Sequence, residues 1–138
     1  MPTLRRTSLM LVTSALAVST TATVAQASPA SASSVSFALR GNQAIAAPMV
    51  SARGWSRAHF GCLKRLWTRE SNWNHRAHNR SSGAYGIPQA LPGGKMASAG
   101  RDWRTNPRTQ IRWGLGYIKQ RYGSPCGAWA HFRSHGWY

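Results

Sequence analysis

The sequence predicts an all-α fold, and three observations indicate it. Apolar residues recur at helical spacing in two separate segments, and no stretch shows the alternation of a β-strand. Residues that typically begin and end helices flank those segments. All 7 Trp and all 4 Tyr of the 138-residue chain lie within residues 55–138, so we expect one small packed domain there. A domain of this size depends on its large aromatic residues and on cross-links.

Residues 1–27 have the pattern of a secretory signal peptide. Arg5 and Arg6 give it a positive start, an apolar stretch follows at Leu9–Val18, and Ala25-Gln26-Ala27 fits the cleavage rule. The apolar stretch is too short for a stable membrane anchor. We therefore expect a secreted protein, extracellular or associated with the cell wall.

Residues 28–54 differ in composition from the segment that follows. They are rich in Ala and Ser, contain no acidic residue and have Phe37 as their one aromatic residue. Such a composition predicts a flexible tether between the signal peptide and the domain.

The first helix of the domain is predicted from residue 57 to 71. Leu63, Leu66, Trp67 and Glu70 fall on one helical face, and the opposite face is basic and polar. A turn-rich stretch follows over residues 72–94, and a short helix over 95–99 ends at Gly100.

The second long helix begins with Asn106 as its N-cap and Pro107 in its first turn. Gly123 is the expected C-cap. A last helical turn is predicted over residues 128–132. The apolar face of the long helix consists of Ile111, Leu115, Ile118 and Tyr122.

Cys62 and Cys126 are the only cysteines, and an even pair in an exported chain predicts a disulfide. It would close a loop of roughly 65 residues and stabilise the fold by about 4 kcal/mol on the chain-entropy model. A metal site is the alternative, because His131 and His135 follow Cys126 at i, i+4 spacing. The chain has no compact Cys-x-x-Cys pair, so we expect neither a metal nor another cofactor.

The charge is strongly positive, with 18 Lys and Arg against 2 Asp and Glu. Such a field attracts polyanions. For an exported protein we expect anionic wall polymers or membrane surfaces as partners rather than nucleic acid. The alternative is that the arginines reflect codon usage and keep the protein soluble.

Glu70 is the only glutamate, and it lies on the helical stripe that should face the core. Burial disfavours a charged carboxylate and raises its pKa. A carboxyl that is partly protonated near neutral pH suits a general acid. The alternative is a glutamate at the edge of an amphipathic stripe, which many helices carry.

A glycine-rich segment, Ser-Ser-Gly-Ala-Tyr-Gly-Ile-Pro-Gln at residues 81–89, follows the Glu70 helix. Two glycines and a proline permit a tight turn. The amide of Gln89 can donate and accept hydrogen bonds together, which suits the N-acetyl and hydroxyl groups of a sugar.

Together, Glu70-Ser71, the Gly83–Gln89 segment and residues 110–118 resemble the soluble lytic transglycosylase (SLT) domain of the lysozyme-like superfamily. The chain is most similar to the small secreted actinobacterial type, which also resembles the resuscitation-promoting factors. The resemblance implies a lysozyme-like fold that cleaves peptidoglycan glycan strands between N-acetylmuramic acid and N-acetylglucosamine. It implies Glu70 as the acid/base.

The resemblance also implies that Ser71, Tyr85 and Gln89 line or support the substrate cleft. Two positions depart from the family pattern. Gln110 stands where an Asn is usual, and Trp129 stands where the family has a tyrosine whose hydroxyl bonds the catalytic carboxyl. We count Trp129 among the candidate substrate-binding residues.

The scarcity of carboxylates favours transglycosylation, since most glycosidases need two carboxyl groups and a transglycosylase needs one. Asp102, the only other acidic residue, has the position of a local cap or an arginine partner. The expected protein is a monomeric lytic transglycosylase that leaves 1,6-anhydro ends. The alternatives are a hydrolytic muramidase that uses water with Glu70 and Asp102, a non-catalytic wall-binding protein, and a cationic protein that acts on nucleic acid or membranes.

Overall fold

The computed structural model describes residues 29–138 and has the predicted all-α fold. The predicted signal peptide, residues 1–27, lies outside the described residues. Two isolated bridges, His78 with Tyr85 and Tyr85 with Ala90, are the β-type pairings of the described part. Among residues 29–138, no helix is both long and apolar enough to cross a lipid bilayer. The elements are α1 (Pro29–Ser51), α2 (Arg57–Ser71), a 3-10 helix (Gly93–Ser98), α3 (Pro107–Tyr122) and α4 (Pro125–His135).

Helix α2 has the predicted bounds and the predicted buried face. Leu63, Leu66 and Trp67 are completely buried. The helix ends because Asn72 adopts a left-handed conformation (φ 51°) and donates its backbone N–H to the carbonyl of Thr68 at 3.0 Å. Glu70 therefore lies in the last turn of the helix, where the core stripe reaches the surface.

Helix α3 is also confirmed, with the Asn106 side chain accepting a bond from the Arg108 backbone N–H at 2.9 Å. Its buried face includes the predicted residues Ile111, Leu115 and Ile118. Gly114 allows α2 and α3 to approach closely, because a Cβ at that position would lie 2.7 Å from the ring of Trp67. Trp67 thus lies against α3 and forms the centre of the core.

Helix α4 is longer than the predicted turn over residues 128–132. Ser124 caps its start by accepting a bond from the Gly127 backbone N–H at 3.2 Å, and Pro125 occupies its first turn. The predicted disulfide is present between Cys62 and Cys126, whose Cα atoms lie 5.0 Å apart. It joins α4 to the first half of α2, and both thiols are thereby unavailable as metal ligands.

The flexible tether predicted for residues 28–54 does not match the structure, in which α1 occupies most of that range. Asn42, Ala46 and Val50, spaced four residues apart, are buried on one face of α1. The Asn42 amide donates to the backbone carbonyl of Trp73 at 2.9 Å. Alanine is a strong helix former, and this narrow buried stripe, together with the partly buried Ile45 and Met49, docks the helix on α2 and α3. The packed domain therefore includes the second half of α1.

Candidate active site

Glu70 lines a cavity of about 450 Å³ at the end of α2. Its side chain is half-buried, on the same helical stripe as Leu66 and Trp67. The cavity lies between the end of α2, the loop that follows it and the segment after α4. Its other lining residues are Asn79, Ser82, Ala84, Gln89, Leu91, Gly136, Trp137 and Tyr138.

Burial raises the pKa of Glu70 from its ordinary 4.5 to about 7. No residue within 29–138 forms an ion pair or a hydrogen bond with its carboxyl group that would stabilise the charged form. The carbonyl groups at the end of α2 also present partial negative charge, which disfavours an anion there. Near neutral pH a large fraction of Glu70 is therefore protonated and able to act as an acid.

The loop that carries Gly83–Gln89 is fixed to both long helices. Ser71 Oγ donates to the carbonyl of Ile87 at 2.7 Å, which attaches the loop to the end of α2. From α3, the buried Gln110 accepts a bond from the Ile87 backbone N–H at 2.9 Å. The Gln110 amide also donates to the carbonyls of His75 and Trp103, each at 2.8 Å. The glutamine that replaces the usual asparagine thus holds three segments together.

Gly86 is required where the loop passes Gln110. Its backbone has φ +77°, and a Cβ would lie 2.5 Å from the Gln110 Oε1 atom. The glycine-rich character of the segment therefore follows from the close approach of its backbone to α3.

Gln89 lines the same cavity as Glu70. Its amide nitrogen donates to the carbonyl of Gly86 at 2.9 Å and to that of Ala77 at 3.3 Å. No group within residues 29–138 donates to its Oε1 atom, so this oxygen can accept a hydrogen bond from a ligand.

Tyr138 forms part of the cavity wall, between α2 and the loop. Its hydroxyl accepts a bond from Trp67 Nε1 and donates to the carbonyl of Pro88, each at 2.8 Å. Burial raises the pKa of Tyr138 well above its ordinary value, and the neighbouring Glu70 charge raises it further. The tyrosine thus connects α2 to the loop next to the candidate acid.

Residues 57–133 match the family model of the transglycosylase SLT domain, which spans α2 to α4. The chain belongs to the transglycosylase SLT family. Family membership indicates a lysozyme-like domain with lytic transglycosylase activity on peptidoglycan. Comparisons with curated proteins and with solved structures find no significant match.

Within this SLT domain, Tyr85 supports the loop and does not line the cavity of Glu70. Its hydroxyl donates to the carbonyl of Arg104 at 2.9 Å, and its ring packs against His78 and Trp103. The Ser71 hydroxyl likewise donates to backbone carbonyls, those of Trp67 and Ile87. Ser71 and Tyr85 therefore support the cleft and do not line it, an alternative that the sequence left open. Of the three residues, Gln89 is the one that lines the cavity of Glu70.

Trp129 does not lie at the cleft, contrary to its predicted grouping with Glu70. It stacks on Phe132, with ring centroids 5.7 Å apart, and lines a separate groove beside Lys64 and Arg65. Trp129 lies against the basic face of α2, which is opposite the helical stripe that carries Glu70. Tyr138 occupies the place beside Glu70 that the motif comparison had assigned to residue 129.

Asp102 is also outside the cavity and has the predicted local role. It accepts bonds from Asn106 Nδ2 at 2.6 Å and from Thr109 Oγ1 at 2.7 Å at the start of α3. These two bonds hold the pKa of the exposed Asp102 carboxyl below its ordinary value. Because the chain has only two acidic side chains, Glu70 is the single side-chain carboxyl in the cavity.

Trp137 and Tyr138 are the site residues that sequence reasoning missed. They lie beyond the matched segment, and Gly136 (φ 78°) ends α4 and turns the chain back towards α2. Trp137 is 51% exposed while lining the cavity, so its indole is accessible to a sugar ring. A helix-ending glycine followed by two aromatic residues is the signal that indicates this return.

Proposed function

We propose that the protein is a secreted lytic transglycosylase that uses Glu70 as its only acid/base. It cleaves the bond between N-acetylmuramic acid and N-acetylglucosamine and leaves 1,6-anhydro-muramyl ends. The observation that carries the proposal is a half-buried Glu70, with a pKa of about 7, in a cavity that holds no second side-chain carboxyl. Secretion is supported by the predicted signal peptide and by the disulfide, which is typical of exported proteins.

In the first step, protonated Glu70 gives its proton to the glycosidic oxygen as the bond to the anomeric carbon breaks. The N-acetylglucosamine side leaves as an alcohol, and positive charge develops on the muramyl ring. The newly formed Glu70 carboxylate stabilises that charge at close range, in a partly desolvated cavity where electrostatic interactions are stronger than in water.

In the second step, the muramyl C6 hydroxyl attacks the anomeric carbon of its own ring and transfers its proton to Glu70. The carboxyl is thereby restored, and no water is consumed. Because the nucleophile belongs to the same sugar, its effective concentration is high and no second carboxylate is needed to activate it.

The surroundings of Glu70 supply the conditions for both steps. Tyr138 joins Trp67 of α2 to Pro88 of the loop through its hydroxyl, which keeps the cavity wall closed beside the acid. Gln89 offers Oε1 to a donor on the sugar, such as an N-acetyl N–H or a hydroxyl. Tyr138 is thus a positioning residue, and Gln89 and Trp137 are the candidate substrate contacts.

Product analysis tests the proposal. Purified peptidoglycan is digested with the protein in water enriched in the heavy oxygen isotope, and fragments are analysed by mass spectrometry. The Glu70→Gln variant, prepared identically, serves as the control for contaminating activities. We expect unlabelled fragments that are one water lighter than reducing-end products. Reducing ends that carry the heavy isotope would show a hydrolytic muramidase and overturn the transglycosylase assignment.

A further inference from the structure

A second groove, of about 510 Å³, lies on the face of α2 opposite Glu70. We name it the α2–Trp129 groove. Helix α2 supplies one wall, Gln43 of α1 extends it, and Trp129 of α4 closes it. The lining residues are Gln43, Lys64, Arg65, Thr68, Arg69 and Trp129.

Within the part of the chain that the structure describes, no acidic side chain pairs with the positive charges of this groove. Of the chain's two acidic side chains, Glu70 lies in the other cavity and Asp102 is bound at the start of α3. Arg65 and Arg69 are one helical turn apart on α2, and like charges at that spacing repel each other. A bound anion would relieve this repulsion.

The cationic residues of the groove are spread along α2. The backbone positions of Lys64 and Arg69 are ~7.5 Å apart along the helix axis at 1.5 Å per residue. The groove therefore presents a row of positive side chains that suits a ligand with successive negative groups. Arginine binds phosphate through two parallel hydrogen bonds, so Arg65 and Arg69 favour phosphate groups over isolated carboxylates.

The uncharged side chains of the groove suit the sugar or polyol units that join successive phosphate groups in a polymer. Trp129 is half-buried with Phe132 stacked on it at 5.7 Å, so its indole is held in place as a platform. The Lys64 side chain is also held in position, because its ammonium lies 5.4 Å from the centre of the Phe60 ring. Thr68 and Gln43 carry side chains that can bond sugar or polyol hydroxyls.

We propose that the α2–Trp129 groove binds a linear phosphodiester polymer of the cell wall. The phosphates contact Lys64, Arg65 and Arg69, and the sugar or polyol units lie against Trp129. The choice of a wall polymer over nucleic acid rests on the proposed function, since a peptidoglycan-cleaving enzyme works where such polymers are attached. Because the groove and Glu70 occupy opposite faces of α2, the polymer and the glycan strand bind together, and the enzyme stays on the wall between cleavages.

A retention assay with charge-matched variants tests this site. All variants carry Glu70→Gln, so the walls stay intact and the result is independent of whether the protein is a transglycosylase. Arg65→Gln/Arg69→Gln removes two charges from the groove. Arg101→Gln/Arg108→Gln removes two charges from exposed positions elsewhere. Binding to purified walls is measured over a range of salt concentrations, before and after the phosphodiester polymers are stripped.

We expect the groove variant to bind intact walls about tenfold more weakly, through the loss of two charge-assisted phosphate contacts. The control pair should lose less than about twofold, since exposed charges away from the ligand are screened. Stripped walls should bind both variants alike. Arg65→Lys/Arg69→Lys keeps the charge and loses the paired hydrogen bonds, so an intermediate loss is expected.

Equal losses in the two charge-matched variants would show that retention depends on overall charge and would overturn the proposal. The proposal would also be overturned if the groove variant bound intact walls as tightly as the parent protein. Equal binding of the parent protein to intact and stripped walls would overturn it as well. Tighter binding to DNA than to walls at equal salt, lost only in the groove variant, would assign the groove to nucleic acid. Thermal unfolding of each variant verifies that the compared proteins are folded.

Discussion

The surroundings of Glu70 and of Asp102, the only acidic side chains in the chain, are opposite in character. Glu70 is half-buried beside a cavity, and no residue within 29–138 donates a hydrogen bond to it. Asp102 is exposed and accepts bonds from Asn106 and Thr109. Burial raises the pKa of Glu70 to about 7, whereas hydrogen bonding lowers the pKa of Asp102.

The contrast teaches that the surroundings, and not the residue type, assign the role of each carboxyl. Asp102 is held as an anion because Asn106 and Thr109 donate hydrogen bonds to its carboxylate at the start of α3. Glu70 retains its proton because the apolar stripe of α2 continues to the last turn of the helix and places the carboxyl against the core. The same fold thus provides one structural anion and one acid.

Replacing Glu70 by glutamine should give the largest effect. The amide cannot donate the acid proton, so we expect at least a 10³-fold loss of peptidoglycan cleavage. The fold should be unchanged, since the two side chains have nearly the same shape. Lysis of purified walls and helical circular dichroism measure the two quantities. If the Glu70→Gln variant cleaved peptidoglycan at a rate within tenfold of that of the parent protein, Glu70 would not be the catalytic acid.

The pH dependence should follow the protonation of Glu70. As pH rises through about 7 the acid loses its proton, so kcat/KM should fall about tenfold per pH unit above that value. Stability should respond too, because between pH 4.5 and about 7 the folded protein keeps a proton that the unfolded chain has released. The free energy of unfolding should therefore decline as pH rises through this window, and Glu70→Gln should abolish that part of the decline. A cleavage rate that stays constant up to pH 9 would contradict the acid role.

Two substitutions of Tyr138 separate the shielding of Glu70 by its ring from the hydrogen bond of its hydroxyl to Trp67. Tyr138→Phe keeps the ring and loses the partner of Trp67 Nε1, so we expect a loss of about 1–3 kcal/mol in stability with an unchanged pH profile. Tyr138→Ala admits water beside Glu70, so the fall in kcat/KM should begin at lower pH. Identical pH profiles for both variants would mean that Tyr138 does not shield the acid.

Asp102→Asn should have the smallest effect on catalysis. The amide keeps the shape of the side chain that bonds Asn106 and Thr109, and the residue lies outside the cavity, so cleavage should stay within about twofold. In the parent protein, the lowered pKa means that Asp102 stabilises the fold above pH 3.8 and that this contribution disappears as pH falls through the lowered value. The Asp102→Asn variant should not show this loss of stability at acid pH. An inactive Asp102→Asn protein with normal thermal unfolding would instead support a mechanism with two carboxylates.

The sequence was sufficient for elements whose signals are local. Helix α2 and helix α3 follow from apolar spacing and from their caps, as at Asn106 and Gly123. The disulfide follows from there being one pair of cysteines in a chain predicted to be exported. Glu70 could be singled out because a lone glutamate lay on the apolar stripe of a strong helix.

The remaining features depend on tertiary contacts that leave little trace in composition. Helix α1 buries a narrow stripe, Asn42, Ala46 and Val50, within an Ala- and Ser-rich sequence, so its composition resembles a linker. Trp129 was placed by motif position alone, and in the fold it lies against the basic face of α2, away from Glu70. Tyr138 reaches the cavity through a chain reversal at Gly136, beyond the segment that carries the family motifs.

The central claim, that the fold raises the pKa of one carboxyl and lowers that of the other, can be measured directly by NMR. Because the chain has one glutamate and one aspartate, carbon-13 labelling of each side-chain carboxyl gives one signal per residue type. We predict that Glu70 titrates with a midpoint near 7 and Asp102 with a midpoint below 3.8. A Glu70 midpoint at its ordinary 4.5 would contradict the account, since the cavity would then hold a carboxylate and not an acid at neutral pH.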